Sequence, residues 1–129
     1  MAPITRAGRP RPAGGGLELA VWYLTRLTGL GLFVLALGHF LITHVVYDPA
    51  VQHAKWIVDA RWGSLLWRTV DWLMLTMVIF HSFMGVRTVL QDYTRGALRA
   101  TLTMGLYLVA IVLFALGTLA VASLKAPVP

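Results

Sequence analysis

The sequence predicts an all-α membrane protein that crosses the bilayer three times, and three observations lead to this fold class. Only 12% of the 129 residues are charged, whereas soluble domains carry about 25%. The mean hydropathy is +0.74. Three apolar stretches, each longer than the roughly 20 residues needed to cross the hydrocarbon core, occupy most of the chain. Little length remains for a soluble catalytic domain, so any chemistry is expected in or beside the bilayer.

The apolar stretches set the predicted spans, which run from Leu19 to Val46, from Val70 to Leu90 and from Leu98 to Leu124. Residues 47–69 contain the helix breaker Asp48-Pro49 and several tryptophans suited to the membrane interface, so a short surface helix is predicted between the first two spans. The third span is predicted to be structural. Its small residues would let a neighbouring helix approach closely, and they are Gly105, Ala110, Gly117 and Ala120.

The distribution of charge predicts the orientation of the chain. Residues 1–16 are basic and rich in Pro and Gly, which predicts a disordered cytoplasmic tail before an anchor domain over residues 17–129. Basic residues of this tail and of the loop after the second span are Arg6, Arg9, Arg11, Arg95 and Arg99. The other side carries Lys55, Arg61, Arg68 and Lys125, partly balanced by Asp48, Asp59 and Asp71. The positive-inside rule therefore predicts a cytoplasmic N-terminus and an outside C-terminus.

Composition also excludes several classes of function. The chain has a formal net charge of +6, and its basic residues flank the apolar segments. They are therefore expected to set the membrane topology and to contact lipid, and no nucleic acid is expected as a partner. The chain has no cysteine. Disulfides, thiolate metal sites and cysteine-ligated iron–sulfur clusters are therefore excluded within this chain.

The second predicted span carries ionisable groups that a lipid-facing helix would not keep, because each costs several kcal/mol in hydrocarbon. His81 lies near its middle, and Asp92 and Tyr93 lie at its cytoplasmic end. At about 100° per residue, His81, Gly85 and Asp92 fall on one helix face together with Thr88. The rise of about 1.5 Å per residue places His81 roughly 16 Å deeper than Asp92.

This spacing suits an axial haem ligand, because a neutral imidazole offers a ring nitrogen to iron and a glycine one turn later leaves room for a flat macrocycle. The alternative is a histidine that is hydrogen-bonded to a neighbouring helix. For Asp92 and Tyr93 the alternative is an ordinary helix end at the interface, where tyrosine is enriched. Both alternatives are left open by the spacing.

The first span contains Arg26, His39 and His44. Arg26 either reaches lipid phosphates or pairs with an anionic group of a cofactor. His39 and His44 differ by about 140° in direction and cannot easily serve one site. His39 is the deeper of the two and is the candidate for a second site, whereas His44 and His53 are expected at the interface.

The segment from His81 to Tyr93, HSFMGVRTVLQDY, resembles the second span of the smaller membrane anchor of succinate dehydrogenase, respiratory complex II. A histidine, a glycine four residues later and an Asp-Tyr pair eleven and twelve residues later recur in that family in this order. The first span, with Arg26-Leu-Thr-Gly29 and Leu37-Gly38-His39-Phe40, also resembles these anchors, particularly those of actinobacteria and related prokaryotes. The resemblance covers about 110 residues, everything after the tail.

The resemblance implies a role for each matching residue. His81 matches the axial ligand of haem b, with the opposite ligand expected from the partner anchor. Tyr93 matches the phenol that hydrogen-bonds a quinone carbonyl, and Asp92 matches its acidic neighbour. Arg26 would lie near the haem propionates or the quinone pocket, and His39 would suit a second haem or quinone site near the outer surface.

The resemblance also implies an assembly, in which this chain is half of a helical anchor bundle in the cytoplasmic membrane of a prokaryote. Its expected partners are a second membrane anchor, which is the cytochrome b subunit, an iron–sulfur subunit, a flavoprotein and membrane lipids, with a higher oligomer of the complex left open. Menaquinone or ubiquinone would be the quinone, and FAD and iron–sulfur clusters would lie only in the partners. Two alternatives remain, an anchor of quinol:fumarate reductase and a small non-enzymatic transport or assembly protein.

Overall fold

The computed structural model describes residues 16–123, which form three long helices and a short helix between the first two. In chain order, α1 covers Leu17–Leu41, α2 covers Ala54–Trp56, α3 covers Leu65–Tyr93 and α4 covers Gly96–Ser123. π-helical turns extend α1 over Ile42–Val46 and α2 over Ile57–Trp62. This range contains no strand. The long helices are long and apolar enough to cross a membrane, so the predicted all-α fold with three spans is confirmed.

α3 is longer than the predicted second span. This helix begins at Leu65, five residues before the predicted Val70, and therefore includes Trp67 and Arg68, which had been assigned to the loop. Aromatic and basic side chains lower the local hydropathy, but a helix continues through the interfacial region that such side chains favour. The predicted tail lies outside the described residues except for Gly16, and so does the predicted end of the third span at Leu124.

The segment between α1 and α3 is held by two local caps. The carboxylate of Asp48 accepts a hydrogen bond of 2.9 Å from the backbone N–H of Ala50, which closes a 3₁₀ turn over Pro49–Val51. Nδ1 of His53 accepts a hydrogen bond of 3.2 Å from the backbone N–H of Trp56 at the start of α2. The predicted breaker and short helix are confirmed, and His53 is a helix-capping residue.

α3 is the central helix, and it runs antiparallel to both α1 and α4. A Cβ added to Gly31 of α1 would lie 3.0 Å from Sδ of Met77. On the other flank, a Cβ added to Gly117 of α4 would lie 2.7 Å from Cδ2 of Leu75. Gly117 therefore has the predicted role in close helix packing. A Cβ on Gly105 would meet nothing within 4 Å among the described residues, so the same role for Gly105 stays a prediction.

Different polar contacts join the helices at the two ends of the bundle, the Glu18 end and the Asp71 end. At the Glu18 end, where α1 begins and α3 ends, Glu18 forms a bidentate ion pair with Arg87, with N–O distances of 2.5 and 3.2 Å. At this end α4 follows α3 after two residues, and Gly96 begins it with a φ of 59°. At the Asp71 end, where α1 ends and α3 begins, Asp71 contacts the extension of α2.

Most large apolar side chains of the spans are exposed in this chain alone, as at Leu30 and Phe33 of α1. The half-buried positions of α1 recur every three to four residues and face α3. The remaining surface of the helices is apolar, so it requires lipid or other membrane proteins to cover it. This is the arrangement expected of one part of a larger bundle.

Candidate functional site

His81 lies in the middle of α3, and its ring packs against α1. Nδ1 lies 3.0 Å from the backbone carbonyl oxygen of Thr25 and 3.3 Å from Oγ1 of Thr28. A carbonyl oxygen only accepts, so this contact is favourable when Nδ1 carries the proton and donates. The neighbouring helix therefore fixes both the direction of the ring and its tautomer.

Gly29 makes room for the imidazole on α1. A Cβ at this position would lie 3.0 Å from Cε1 of His81 and 3.5 Å from Nδ1. Any other residue type would force the ring or the helix to move, because contacts this short displace one of the two groups. The close approach of α1 and α3 at the depth of His81 therefore depends on a glycine.

The sequence left open that His81 is hydrogen-bonded to a neighbouring helix instead of ligating haem, and the contact with Thr25 is such a hydrogen bond. It does not compete with metal ligation, because the ring has two nitrogens. Within the described residues the hydrogen bonds of His81 are made through Nδ1, which leaves the lone pair of Nε2 available. A histidine that ligates a metal through one nitrogen commonly donates the other N–H to a carbonyl or carboxylate, which raises the basicity of the ligating nitrogen.

The surroundings of His81 suit one ligand of a large flat group rather than a bare metal ion. Over residues 16–123, no group of three or more His, Cys, Asp or Glu side chains could hold an ion. One turn after His81, a Cβ on Gly85 would meet nothing within 4 Å. The backbone at Gly85 is therefore open to a group from outside this chain, and His81 would be the residue of this chain to hold a haem iron.

Arg26 lies on the exposed side of α1, one residue from the carbonyl that His81 contacts. Its Nη1 donates a hydrogen bond of 3.0 Å to the carbonyl oxygen of Trp22, and Cζ lies 3.5 Å from the centroid of the Trp22 ring. The side chain is thus folded along α1 against Trp22. A haem propionate or quinone contact for Arg26 stays a prediction.

Asp92 and Tyr93 form the last turn of α3 at the Glu18 end. Both are exposed, and Tyr93 exposes 84% of its surface, the largest fraction of any bulky apolar or aromatic residue described. α3 is an uninterrupted helix between His81 and this pair, so their separation along the axis is about 16 Å, as predicted. The phenol therefore lies outside the packing between the described helices of this chain.

His39 lies at the Asp71 end and is not part of the His81 site. Its Nδ1 is 3.6 Å from Oδ1 of Asp71, and Asp71 also accepts hydrogen bonds from Nη2 of Arg61 at 2.6 Å and from Nε1 of Trp62 at 2.9 Å. The ion pair between Arg61 and Asp71 is buried, so removing one partner alone costs about 3–5 kcal/mol. His44 lies beside this group, stacked on Phe40 with 4.7 Å between ring centroids.

Two sets of site residues were missed by reasoning from the sequence. The first set holds the His81 ring and consists of Thr25, Thr28 and Gly29. Their Thr-x-x-Thr-Gly arrangement at helical spacing was a usable signal for a close-packed helix face that carries hydroxyl groups. Arg61 and Asp71 were treated only as charges that set the topology. The usable signal was an aspartate, Asp71, directly after the first residue of an apolar span.

Comparison with known proteins places these features in a family. Residues 3–121 match the family model described as succinate dehydrogenase/fumarate reductase transmembrane subunit. The chain is also 32% identical over 80 residues to the succinate dehydrogenase hydrophobic membrane anchor subunit of Archaeoglobus fulgidus, covering 62% of this chain and 67% of that protein. The matched region contains all three spans with His81, Asp92 and Tyr93, and the chain therefore belongs to the family of transmembrane anchor subunits of succinate dehydrogenase and fumarate reductase.

Proposed function

We propose that this chain is the smaller anchor of a succinate:quinone oxidoreductase in a prokaryotic cytoplasmic membrane. It holds an iron–sulfur subunit and a flavoprotein at the membrane, pairs with a second anchor, and contributes His81 to haem b and Tyr93 with Asp92 to a quinone site. Succinate oxidation takes place in the flavoprotein, and this chain supplies no residue to that step. The name of the relative favours succinate oxidation over fumarate reduction as the working direction.

The observation that carries this proposal is the geometry of His81. The donated hydrogen bond from Nδ1 to Thr25 fixes the tautomer in which Nε2 can bind iron, and Gly29 fixes the depth of the ring. Haem b would supply one-electron storage between the helices of the two anchors. The contribution of this chain is to orient the imidazole and to exclude water with its apolar helices.

Quinone reduction at the Glu18 end needs two electrons and two protons. Tyr93 donates a hydrogen bond to a quinone carbonyl, and this bond strengthens as negative charge develops on the oxygen during reduction. Asp92 orients the phenol or passes a proton from the aqueous side. The exposure of both residues supports contact with a substrate held between this chain and its partner subunits.

Orientation follows from the same proposal. Electrons must arrive from the iron–sulfur subunit, so the Glu18 end faces the cytoplasm, in agreement with the positive-inside rule. The Glu18–Arg87 pair and Arg99, whose Nε donates a hydrogen bond of 2.8 Å to the carbonyl oxygen of Thr94, keep the end of α3 in place there. These contacts fix the position of Tyr93 along the axis of the bundle.

Co-purification tests the proposal directly. A tagged form of this chain, extracted in mild detergent, is expected to bring with it a second small membrane subunit, a flavoprotein and an iron–sulfur protein, and the preparation is expected to reduce quinone with succinate. Mass spectrometry identifies the partners, and a reduced-minus-oxidised spectrum shows haem b. A preparation with no flavoprotein would contradict the anchor function, and a complete complex without haem would contradict the role of His81.

A valine at Gly29 is expected to disturb the haem without removing a ligand. The added side chain would meet the imidazole at about the 3.0 Å distance of the Cβ, so the ring must tilt and its hydrogen bond to Thr25 must lengthen. We expect a shifted haem spectrum and a lower haem content in Gly29→Val, both measured on purified complex. Gly38→Val is the matched control, because a Cβ at Gly38 on the same helix meets nothing within 4 Å in this chain. Equal spectra in the two variants would contradict the positioning role of Gly29.

A further inference from the structure

The Asp71 end contains a cavity with mostly apolar walls and a few polar side chains, away from His81 and Tyr93. Its volume is about 240 Å³, and it is a half-open space between the end of α1, the extension of α2 and the beginning of α3. Asp71 is ten residues from His81 on α3, which is about 15 Å along the helix axis. The polar and charged side chains that line the cavity include His39, Thr43, Gln52, Arg61 and Asp71.

Arg61 is the chemically unusual residue of this cavity. Only 7% of its surface is exposed, and its Nη2 donates to Asp71 at 2.6 Å. Its Nη1 is buried and has no hydrogen-bond acceptor among residues 16–123. A buried guanidinium N–H without an acceptor is costly, because the desolvation of a charged donor is not repaid. The cavity therefore lacks an oxygen acceptor at Nη1.

Most other polar groups that line the cavity already have partners of their own, so the acceptor for Nη1 of Arg61 is expected from a ligand. Asp71 already accepts from Arg61 and from Trp62. The amide of Gln52 donates to the carbonyl oxygen of Thr43. Nδ1 of His39 is buried and, within the part of the chain that the structure describes, has no hydrogen-bond partner, although it lies 3.6 Å from Asp71. Two residues that line this cavity thus each carry a buried nitrogen without a hydrogen-bond partner among the described residues.

The level of the cavity in the membrane indicates the class of ligand. Asp71 follows the start of α3 at Leu65 by six residues, or about 9 Å, so the cavity lies close to one membrane surface. Trp62 lines the cavity, and the same segment carries Tyr47 and Trp56, whose ring centroids are 5.1 Å apart. Such aromatic side chains are typical of the headgroup region. Arginine binds phosphate oxygens in this region, and basic pockets between transmembrane helices hold lipid headgroups.

We propose that this cavity binds the phosphodiester group of a membrane phospholipid, with Nη1 of Arg61 as the principal donor. The volume suits a headgroup, whereas pockets for larger cofactors measure about 300–1,000 Å³. The acyl chains would lie along the exposed apolar surface of the spans. The bound lipid would complete the hydrogen bonding of Arg61 and fasten the extension of α2 to the bundle. This inference does not depend on haem or quinone binding.

The test measures lipid binding by the whole complex co-purified with this chain. Delipidated complex is titrated with phosphatidylglycerol in detergent, and native mass spectrometry counts the bound lipids. Arg61→Lys keeps the positive charge beside Asp71 but removes the second guanidinium nitrogen. We expect one phospholipid per chain to bind about tenfold more weakly in this variant, as the loss of one charge-assisted hydrogen bond predicts.

Lys55→Met is the matched control on the same segment. Lys55 is an exposed cation that pairs with Asp59 at 2.5 Å and does not line the cavity. Its replacement removes one positive charge from this segment and should leave the tightly bound lipid in place. A double variant, Arg61→Met with Asp71→Leu, removes both charges of the buried pair together, so that it tests the site without leaving an unpaired charge. It should lose the same lipid while subunit composition stays unchanged.

Three results would overturn the proposal. Equal lipid binding in wild type and Arg61→Lys would show that Arg61 holds no headgroup. Displacement of the lipid by a water-soluble quinone would show that the cavity accepts a quinone carbonyl instead. Binding of inorganic phosphate that depends on Arg61, together with no binding of phosphatidylglycerol, would show that the ligand is a free anion.

Discussion

Replacing His81 with alanine is expected to remove haem b from the purified complex. The imidazole is the only group of this chain that the structure holds at mid-span, within its described residues, with a free ring nitrogen in a fixed direction. Alanine would remove the nitrogen proposed to hold the iron, and it leaves the carbonyl of Thr25 without its donor. We expect the reduced-minus-oxidised haem spectrum to disappear or to change its bands, with haem content measured by pyridine haemochrome.

His44→Ala is the matched control for this experiment. His44 is exposed at the Asp71 end, where its Nδ1 lies 2.8 Å from Oγ1 of Thr43, and its loss should leave the haem spectrum unchanged. Added imidazole should restore part of the spectrum in His81→Ala, because the truncated side chain leaves a space of the right shape. Subunit composition by gel filtration separates loss of haem from loss of assembly. An unchanged spectrum in His81→Ala would disprove the ligand assignment.

The sequence was sufficient for the number of spans, because the length and hydropathy of a membrane helix depend on the residues of that helix alone. The break at Asp48-Pro49 was predictable for the same local reason. α3 begins before the predicted span at Val70, because Trp67 and Arg68 interrupt the apolar run without interrupting the helix. Hydropathy locates the hydrocarbon core, and helices extend beyond it into the interface.

The partners of the site residues were not predictable in this way, because they depend on which helices pair and at what rotation. His81 and Thr25 are 56 residues apart, and only the antiparallel packing of α1 on α3 brings them to 3.0 Å. The pair of Arg61 and Asp71 is separated by ten residues but requires the chain to reverse direction after Trp62. Residue type and position thus indicated candidate site residues such as His81. The contacts that orient these side chains come from tertiary structure.

Replacing Tyr93 with phenylalanine is expected to lower the rate of quinone reduction by about 10²-fold, the effect of removing one donor to a developing oxyanion. Oxidation of succinate with a soluble artificial dye should be unaffected, because that electron path ends before the quinone. The substitution removes one hydroxyl from a side chain that is 84% exposed in this chain, so it creates no cavity in the described bundle. Both rates are measured on the same purified complex.

Tyr47→Phe provides the control, because Tyr47 lies at the Asp71 end with its ring against Trp56 and should leave both rates unchanged. Asp92→Asn then separates the two roles proposed for Asp92. If Asp92 only orients the phenol, adding Asp92→Asn to Tyr93→Phe lowers the rate no further, because the effects of coupled residues are not additive. If Asp92 passes a proton, the double variant is slower than either single variant. An unchanged quinone reductase rate in Tyr93→Phe would place the quinone away from the end of α3 and contradict the site.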